Sequence, residues 1–357
     1  MYVTDKTDRL KALEMLLNFP SQGILFGHSP IKPLATPLRV AETARLKLSV
    51  SINKPIFVKL DDHNRGCGNK TRKLDVILAD AVAAKADCVI TAGGPQSNHC
   101  RQTAQFAAEL GIETHLIFGT ASGQPDFEYT GNQVANRLFN AQIHTCKKPD
   151  RPAALESLAA ELRKAGKRPY IIPVGGSNYL GAIAYAKGFC EFLRQAQDKD
   201  MSFKRIVFAT SSGGTQAGLV LGAKLGNWHG EILGISIDQV PDEQEINPQL
   251  KYVRHMVDIS NQALEKLGSR ISLSASDFNV NYDYLQDGYG VVGDFDRIGV
   301  RTLSNHGILS GPVYSGRAFG ALLDLISKGV IPDDGQTLFW HTGGAGEIEV
   351  YKDEIFA

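Results

Sequence analysis

Short apolar runs that end in small residues and lead into helical patterns recur along the chain. The runs CVITAGG, YIIPVGG and RIVFATSSGG each precede a segment with apolar residues at helical spacing. A further run, LFWHTGG, stands near the C-terminus. A strand, a glycine turn and a helix in that order form the βα unit of a parallel sheet. The pattern therefore predicts an α/β fold built on parallel sheets.

The segments outside these units also carry local signals. Residues 5–18 have apolar positions at helical spacing, and Pro20 ends the predicted helix. The proline-rich segment 26–40 is expected to be extended. Residues 149–169 predict an exposed helix between two loops. Residues 195–204 and 241–250 are polar and predict connectors, the second leading into a helix.

Length and charge narrow the class of protein. The 357 residues exceed the usual size of one core, so we expect two α/β domains or one large one. Lysine plus arginine equals aspartate plus glutamate at 38 each, so the net charge is zero. A neutral chain has no long-range field toward nucleic acid or an anionic membrane. A local basic pocket for a small anionic ligand stays open.

The N-terminal segment and the cysteines indicate a compartment. The first twenty residues are charged and amphipathic, without the basic and apolar regions of a secretory signal. The five cysteines are thinly spread and none has CxxC spacing, which disfavours a disulfide framework or a zinc site. We therefore expect a protein of the reducing cytoplasm that holds no metal.

SSGGTQAG at residues 211–218 is the best candidate for a phosphate site. Its hydroxyls and two glycine N–H groups stand where a helix begins, and helix N-termini bind anions. The loop holds no cation, so neutral donors and the helix dipole would bind the phosphate. The alternative is a plain βα turn. The glycine spacing departs from GxGxxG, which disfavours a dinucleotide fold.

PQSNHCRQ at residues 95–102 also follows a strand and opens a helix. Ser97 and Asn98 are residues that cap helices, and capping alone is one interpretation. The other is a carboxylate site formed by Ser97, Asn98 and the N–H groups of the helix start. His99 and Cys100 are poor as a metal pair, because adjacent helical residues point apart.

GCGNKTRKL at residues 66–74 follows the apolar run PIFVKL. Its GNKT lacks the first glycine of a phosphate-binding P-loop. Lys70 stands between a glycine turn and a helical pattern, and a lysine in an apolar site has a lowered pKa and can form a Schiff base. Most lysines are solvated, which is the alternative. Tyr289 lies between two glycines, and Tyr314 and Ser315 follow Pro312; both tyrosines are candidates for ligand contact.

Six motifs in order resemble one family. They are GNKTRKL, QSNHCRQTA, PVGGSN, GGTQAGL, GILSGPVYSGRA and HTGG. The chain is similar, from about residue 38 to about residue 346, to the pyridoxal-phosphate enzymes that include D-cysteine desulfhydrase and 1-aminocyclopropane-1-carboxylate deaminase. The resemblance implies a tryptophan-synthase-β-like fold (fold type II), with two α/β domains and the cofactor between them. It also implies a homodimer.

The resemblance assigns roles to residues of this chain. Lys70 would form the covalent link to the cofactor and act as the base, and Asn69 would contact the cofactor's phenolic oxygen. Tyr289 and Tyr314 would flank the substrate and the ring. The phosphate would lie on Thr210, Ser211, Ser212, Gly213, Gly214 and Thr215. The substrate carboxylate would lie on Ser97, Asn98 and His99. Residues 1–75 with 188–357 would form the larger cofactor-binding domain, and residues 76–187 the smaller one.

Ser315 bears on the reaction. The family's deaminase has glutamate after the tyrosine of PVY and its desulfhydrase has threonine, so this position is expected to face the ring nitrogen. A neutral hydroxyl cannot hold a proton on the ring, which favours β-elimination of a good leaving group over opening a cyclopropane. We expect D-cysteine to give pyruvate, sulfide and ammonia. The alternatives are the deaminase reaction, elimination from cysteate or β-chloroalanine, a cofactor-binding protein without turnover, and a nucleotide-binding protein.

The chain departs from the family pattern at several positions. Cys67 stands where glycine is common, and Leu60 replaces a cation. Gly311 replaces the aspartate of DPVY, Ser211 replaces a glycine, and GEIEVY replaces GLF after HTGG. These departures leave the residues with assigned roles in place and indicate a divergent member.

Overall fold

The computed structural model describes residues 2–25, 27–43, 46, 48, 51–238 and 248–357. The strands within these residues are β1 Ile31–Pro33, β2 Phe57–Leu60, β3 Cys88–Gly93, β4 Glu113–Thr120, β5 Gln142–Lys147, β6 Pro169–Ile171, β7 Arg205–Thr210, β8 Glu231–Ser236, β9 Asn279–Asn281 and β10 Thr337–His341. The helices are α1 Tyr2–Leu17, α2 Lys70–Ala83, α3 Asn98–Glu109, α4 Asn132–Leu138, α5 Arg151–Lys164, α6 Tyr179–Asp198, α7 Gly214–Gly226, α8 Pro248–Lys266, α9 Asp294–Asn305, α10 Arg317–Ser327 and α11 Lys352–Phe356. Strand and helix alternate from β2 to α8, as the βα pattern predicts.

The strands form two sheets. The larger has the order β1-β2-β10-β7-β8-β9, parallel except for β1, which pairs antiparallel with β2 at the edge. The smaller has the order β5-β4-β3-β6 and is parallel throughout. Strands covered on both faces are continuous apolar runs rather than alternating ones, and β3 is buried at every position.

Helices cover both faces of the larger sheet. One apolar cluster joins α1, α2, α6, α7 and α8 to Phe208 and Trp340. Another joins α9 and α10 to Val207 and Phe339. Successive residues of a strand point to opposite faces, so β7 and β10 each contribute to both clusters. The first cluster also contains Val89 of the smaller sheet, so apolar contacts connect the two layers of the protein.

A buried ion network holds the start of α2. The Arg72 guanidinium donates to Asp61 Oδ1 at 2.9 Å and to Glu191 Oε2 at 2.9 Å. Lys59, also buried, pairs with the same Glu191. Although burial opposes ionisation, Arg72 and Lys59 lower the pKa of Glu191 to about 2. The network joins β2, α2 and α6, because its members come from all three.

Several local predictions are confirmed and some need correction. Helix α1 and helix α5 form where the apolar spacing predicts them. The predicted connector at residues 195–204 is wrong at its start, because α6 continues to Asp198 with its apolar face packed on α7 and α8. Of the second connector, residues 241–247 lie outside the described residues, and Pro248 already begins α8. The boundary drawn after residue 187 falls inside α6, so we propose to place it before this helix.

Candidate active site

A cavity of about 400 Å³ opens between the two sheets. Its wall contains residues at or just after the carboxyl ends of parallel strands of both sheets: Gly93 at the end of β3, Gly119 near the end of β4, Thr210 at the end of β7, Asp238 after β8 and Thr342 after β10. Ligands of open α/β sheets bind at the carboxyl ends of the strands. The volume is within the range of small-molecule and cofactor sites.

The turn before α2 is held against the end of β10. Cys67 and Gly68 both have positive φ, 54° and 157°. The N–H of Asn69 donates to the Thr342 carbonyl at 3.0 Å, and a Cβ on Gly68 would lie only 3.0 Å from that oxygen. Cys67 therefore occupies a backbone conformation that glycine adopts freely. Its side chain is exposed, and it is not part of the cavity wall.

Lys70 is the first residue of α2 and lines the cavity. Burial of its amine lowers the pKa to about 8, and the charge of Asp238 opposes this shift only in part. An amine with a pKa near 8 is about one-tenth free base at pH 7, a far larger fraction than that of an ordinary lysine with a pKa near 10.4. Such an amine can attack a carbonyl carbon and can accept a proton, which are the two properties of a Schiff-base lysine.

The loop between β7 and α7 has the geometry of an anion site. Gly213 precedes α7 with a left-handed φ of 82°, and a Cβ there would lie 2.8 Å from Met256 Cγ. The Gly214 N–H donates to Ser177 Oγ at 3.2 Å, and Gly214 lies behind the cavity wall. The predicted phosphate residues that line the cavity are Thr210, Ser211, Ser212, Gly213 and Thr215.

Side chains from other elements hold this loop in place. Asn69 Nδ2 donates to Thr215 Oγ1 at 3.2 Å, which connects the loop to the turn before Lys70. Ser211 donates to Asp238 at 2.7 Å. The loop and Lys70 therefore lie on the same cavity, as the resemblance implies.

The structure adds an amine donor that the sequence analysis did not assign to the phosphate. Lys73 is buried and donates from Nζ to the Gly175 carbonyl at 3.0 Å, and a Cβ on Gly214 would lie 2.9 Å from the same amine. Burial and the neighbouring Lys70 lower its pKa well below the usual value. We therefore propose the Lys73 amine as a further donor beside the loop, in addition to the hydroxyls and N–H groups expected from the sequence. Lys70 and Lys73 are three residues apart and therefore lie on one face of α2. This spacing was the sequence signal that could have placed Lys73 near the site.

Replacing Lys73 with methionine is expected to raise the cofactor's dissociation constant about 10- to 100-fold. A charge-assisted hydrogen bond contributes about 1.5 to 3 kcal/mol, and losing that free energy raises a dissociation constant by this factor. Titration of apoenzyme with pyridoxal phosphate, followed by absorbance, measures the change. The exposed Lys164→Met on α5 is the matched control. Unchanged affinity in the Lys73 variant would show that this amine takes no part in binding the phosphate.

The start of α3 carries the predicted carboxylate site. Ser97 caps the helix, accepting from the Cys100 N–H at 3.2 Å. Asn98 accepts from Asn132 Nδ2 at 2.9 Å and donates to Glu347 Oε2 at 3.2 Å. Both Ser97 and Asn98 also line the cavity, so capping and ligand contact are compatible.

His99 is buried beside them and is uncharged. Its Nε2 lies 2.9 Å from Thr91 Oγ1, and its Nδ1 is a buried polar atom with no hydrogen-bond partner among the described residues. Burial, and then the charges of Lys70 and Lys73, lower the pKa of His99 well below its usual value. Its ring therefore offers a hydrogen bond rather than a charge to a ligand.

The two predicted tyrosines meet at the cavity. The hydroxyls of Tyr289 and Tyr314 lie 3.0 Å apart, and their rings pack edge to face with centroids 6.1 Å apart. Burial of the hydroxyls raises the pKa of both phenols. Both are protonated near neutral pH, so the pair can donate a hydrogen bond to a ligand.

Ser315 lies one layer behind the cavity wall. It is fully buried in a π-helical turn, Pro312–Gly316, and donates to the Gly343 carbonyl at 2.9 Å. Its Oγ is also 3.2 Å from Thr342 Oγ1. Thr342 and Gly343 line the cavity, whereas Ser315 does not. A hydrogen bond from Ser315 to a ring nitrogen therefore stays a prediction.

Two departures from the family pattern meet in space. A Cβ on Gly311 would lie 2.0 Å from Oε1 of Glu347, so the glutamate side chain fills the space that a side chain at position 311 would need. Glu347 is buried, and burial raises its pKa to about 8 against the opposing effects of Asn98 and Arg101. Position 311 therefore has no room for an aspartate while Glu347 is present.

Replacing Glu347 with glutamine is expected to make folding less sensitive to alkaline pH. The folded pKa is above the unfolded value near 4.5, so the stabilisation is complete below pH 4.5 and is lost as the pH rises through about 8. Linkage puts this loss at about 3 to 5 kcal/mol. Urea unfolding at pH 5 and pH 8.5 measures it. The exposed Glu349→Gln is the control, and its free energy of unfolding should change with pH as that of the wild type does.

Comparison with known proteins identifies the family. A family model described as "Pyridoxal-phosphate dependent enzyme" matches residues 34–343. The D-cysteine desulfhydrase of Salmonella typhi is 34% identical over 350 residues, covering 96% of this chain and 99% of the relative. An ACC deaminase homologue of known structure superposes with a TM-score of 0.82 and 29% identity, covering 97% of this chain and 98% of its own. Cysteine synthase from Entamoeba histolytica, at 16% identity, a TM-score of 0.59 and coverage of 94% of this chain and 89% of its own, shows the shared fold.

The fold and the cavity thus define a tryptophan-synthase-β-like, fold type II enzyme, as the motifs predict. The chain belongs to the pyridoxal-phosphate-dependent enzymes, in the family that contains D-cysteine desulfhydrase and the ACC deaminase homologue. Its cofactor is pyridoxal phosphate. In the described part of the chain, no helix is long and apolar enough to cross a membrane.

Proposed function

We propose that this enzyme catalyses β-elimination from a small amino acid, with D-cysteine as the first candidate, giving pyruvate, hydrogen sulfide and ammonia. The observation that carries the proposal is the Lys70 amine. It has a pKa of about 8 and lies in a cavity that also contains an anion-binding loop and the N-terminus of α3. The relative from Salmonella typhi is named D-cysteine desulfhydrase, which supports D-cysteine as the substrate.

The residues of the cavity fit the cofactor. Lys70 would bind its aldehyde carbon, and Asn69 would donate to its phenolic oxygen. The loop from Thr210 to Thr215 would hold its phosphate, with the Lys73 amine as a further donor close to Gly214. When bound, the cofactor supplies the electron sink for the reaction.

The protein's own groups then position the substrate and move the proton. The N-terminus of α3 with Ser97, Asn98 and His99 would hold the α-carboxylate. Lys70 would accept the Cα proton, because a base with a pKa near the working pH is the most effective. The neutral phenols of Tyr289 and Tyr314 can donate a hydrogen bond to the leaving group.

Ser315 favours elimination over ring opening. Its hydroxyl has no charge with which to hold a proton on the ring nitrogen, so carbanion stabilisation at the substrate is weaker. A good leaving group, which takes the electron pair away, compensates for this weakness. A cyclopropane ring has no such group. The deaminase reaction is therefore the second candidate, supported by the ACC deaminase homologue of similar structure.

Substrate comparison tests the proposal. Holoenzyme is mixed separately with D-cysteine, L-cysteine and 1-aminocyclopropane-1-carboxylate, and sulfide and keto acids are measured. Sulfide and pyruvate from D-cysteine alone are the expected result. Release of 2-oxobutanoate from the cyclopropane substrate would contradict the argument from Ser315. Bound cofactor without product from any of them would favour a cofactor-binding protein that lacks these activities.

The assembly and the compartment are also proposals. We propose a homodimer, as the resemblance implies, and light scattering of the holoenzyme tests it. We propose a reducing cytoplasm, which the five free thiols support. Fractionation of the source cells tests the compartment.

A further inference from the structure

Two cations form one side of the cavity, and no role assigned above uses them. Lys148 and Arg151 both line it. Lys148 follows β5 in a short 3₁₀ turn, and Arg151 begins α5. The pairing of Lys147 with Thr120 places this turn beside Gly119, which also lines the cavity. The smaller sheet therefore brings both cations to the face opposite the phosphate loop.

The absence of a side chain on Gly119 makes room for Arg151. A Cβ on Gly119 would lie 2.8 Å from Arg151 Cδ and 3.0 Å from Lys148 Cα, so the arginine stem packs directly on the glycine. Arg151 Nε donates to the Lys148 carbonyl at 3.0 Å. This bond uses one edge of the guanidinium and leaves its two terminal nitrogens as donors. Lys148 Nζ lies 5.6 Å from the centroid of the Tyr289 ring, which places the amine beside the tyrosine pair.

Neither cation is neutralised within the described residues. Each of the ion pairs found there joins other groups, and neither Lys148 nor Arg151 has a carboxylate within 4.0 Å. The one acid in the described cavity wall is Asp238, which accepts from Ser211. Like charges without an acidic partner attract an anionic ligand, and a concave wall focuses their field. Lys148 is exposed and Arg151 is partly exposed, so salt is expected to screen this attraction.

The other anions of the reaction already have partners. The phosphate is assigned to the α7 loop and Lys73, and the α-carboxylate to the start of α3. Lys148 and Arg151 lie on other elements that line the cavity, and Lys148 lies beside Tyr289. We propose that they bind a second anionic group of the substrate, namely a β-substituent that is itself an oxyanion, of the sulfonate or phosphate-ester class. This inference rests on the proposed β-elimination and extends its substrates beyond D-cysteine to amino acids with an anionic β-substituent.

The same elimination accommodates such a leaving group. With cysteate, the Cα proton goes to Lys70, the Cβ–S bond breaks, and the electron pair leaves with sulfur as sulfite. With O-phosphoserine, the Cβ–O bond breaks and phosphate leaves with the pair. One water then hydrolyses the remaining enamine to pyruvate and ammonium, and no oxidant or reductant is consumed. The two cations would stabilise the charge that develops on the departing oxyanion.

A binding experiment tests the anion site apart from turnover. Aspartate and asparagine have the same shape and differ in β-charge, and neither has a β-leaving group. Each hand of each ligand is titrated into holoenzyme, and the cofactor's absorbance is followed. We expect aspartate to bind about 10- to 100-fold more tightly than asparagine, and salt to weaken that preference. Lys148→Gln with Arg151→Gln should abolish the preference. Equal affinity for the two ligands in the wild type would overturn the proposal.

A kinetic experiment distinguishes the two sources of the anion. Sulfite from cysteate and phosphate from O-phosphoserine are measured beside sulfide from D-cysteine. In the double variant, kcat/KM should fall at least 10-fold more for an anionic substrate than for D-cysteine. Arg163→Gln, at the exposed end of α5, is the control. An equal fall for all substrates would mean that the cations serve the α-carboxylate, and the proposal would be wrong.

The two proposals fail in different ways. D-cysteine turnover without any preference for aspartate over asparagine would refute the oxyanion site and leave the elimination standing. A charge preference in binding with no turnover of D-cysteine, but with sulfite or phosphate release, would refute D-cysteine as substrate and support the oxyanion site.

Discussion

Replacing Lys70 with alanine is expected to lower turnover by at least about 10³-fold, because the change removes the amine to which we assign both the covalent link to the cofactor and the role of base. The aldehyde of the cofactor should then show the absorbance of a free rather than a lysine-bound form. Product release and the absorption spectrum together measure both losses. The fold should persist, since the variant removes an amine whose burial already lowers its pKa to about 8.

Two further variants make this result specific. Lys54→Ala, in the loop before β2, is the matched surface control and should keep wild-type activity. Adding a small primary amine to Lys70→Ala should restore part of the proton transfer. A variant that kept the lysine-bound spectrum and its turnover would show that another lysine carries the cofactor.

Replacing Asp61 with asparagine is expected to destabilise the fold by about 3 to 5 kcal/mol, the usual effect of breaking a buried ion pair. Asp61 is fully buried and accepts from Arg72 at Oδ1, and from Tyr185 and Trp340 at Oδ2, at 2.7 and 2.8 Å. An amide has only one acceptor oxygen, so its NH₂ group would face at least one of these donors. The free energy of unfolding in urea measures the loss.

A surface ion pair provides the control for that measurement. Arg65 pairs with Glu109 through both carboxylate oxygens, but the pair is partly exposed. Glu109→Gln should therefore change stability by no more than about 1 kcal/mol. Because Asp61 and Arg72 hold the first turn of α2, Asp61→Asn should also lower kcat through Lys70. A loss below 1 kcal/mol would show that the buried network is nearly neutral for stability.

The local chain pattern was sufficient for the fold class. Apolar runs followed by glycine turns predicted the strands β3, β6, β7 and β10, because a parallel strand buried on both faces is apolar along much of its length. The strands β4, β5 and β8, which no such glycine turn follows, were not predicted. The pattern failed at the end of α6. Residues 195–198 are mostly polar in sequence but helical in the structure, since Ala196 in this last turn packs into the apolar cluster that α6 shares with α7 and α8.

The sequence predicted those parts of the candidate site that lie next to glycine turns. Lys70, the loop at Gly213 and the start of α3 at Ser97 all follow such turns, and the backbone conformation of each turn is a local property. Their meeting at one cavity was implied by family resemblance rather than by spacing. The roles of the individual residues stay predictions that the variants above test.

Tertiary structure alone decided the contacts between residues that are distant in the sequence. The Glu347 side chain occupies the space beside Gly311 although 36 positions separate the two residues. In the sequence they are two unrelated departures from the family pattern, and only the fold shows that they are in contact. Arg151 reaches the cavity because it packs on Gly119 of a neighbouring strand. The sequence by itself indicated the strands that precede glycine turns, the turns themselves and Lys70 as a candidate, since these depend on residues close together in the chain. Which charges surround that lysine depends on sheet order and register, because those bring distant side chains within contact distance.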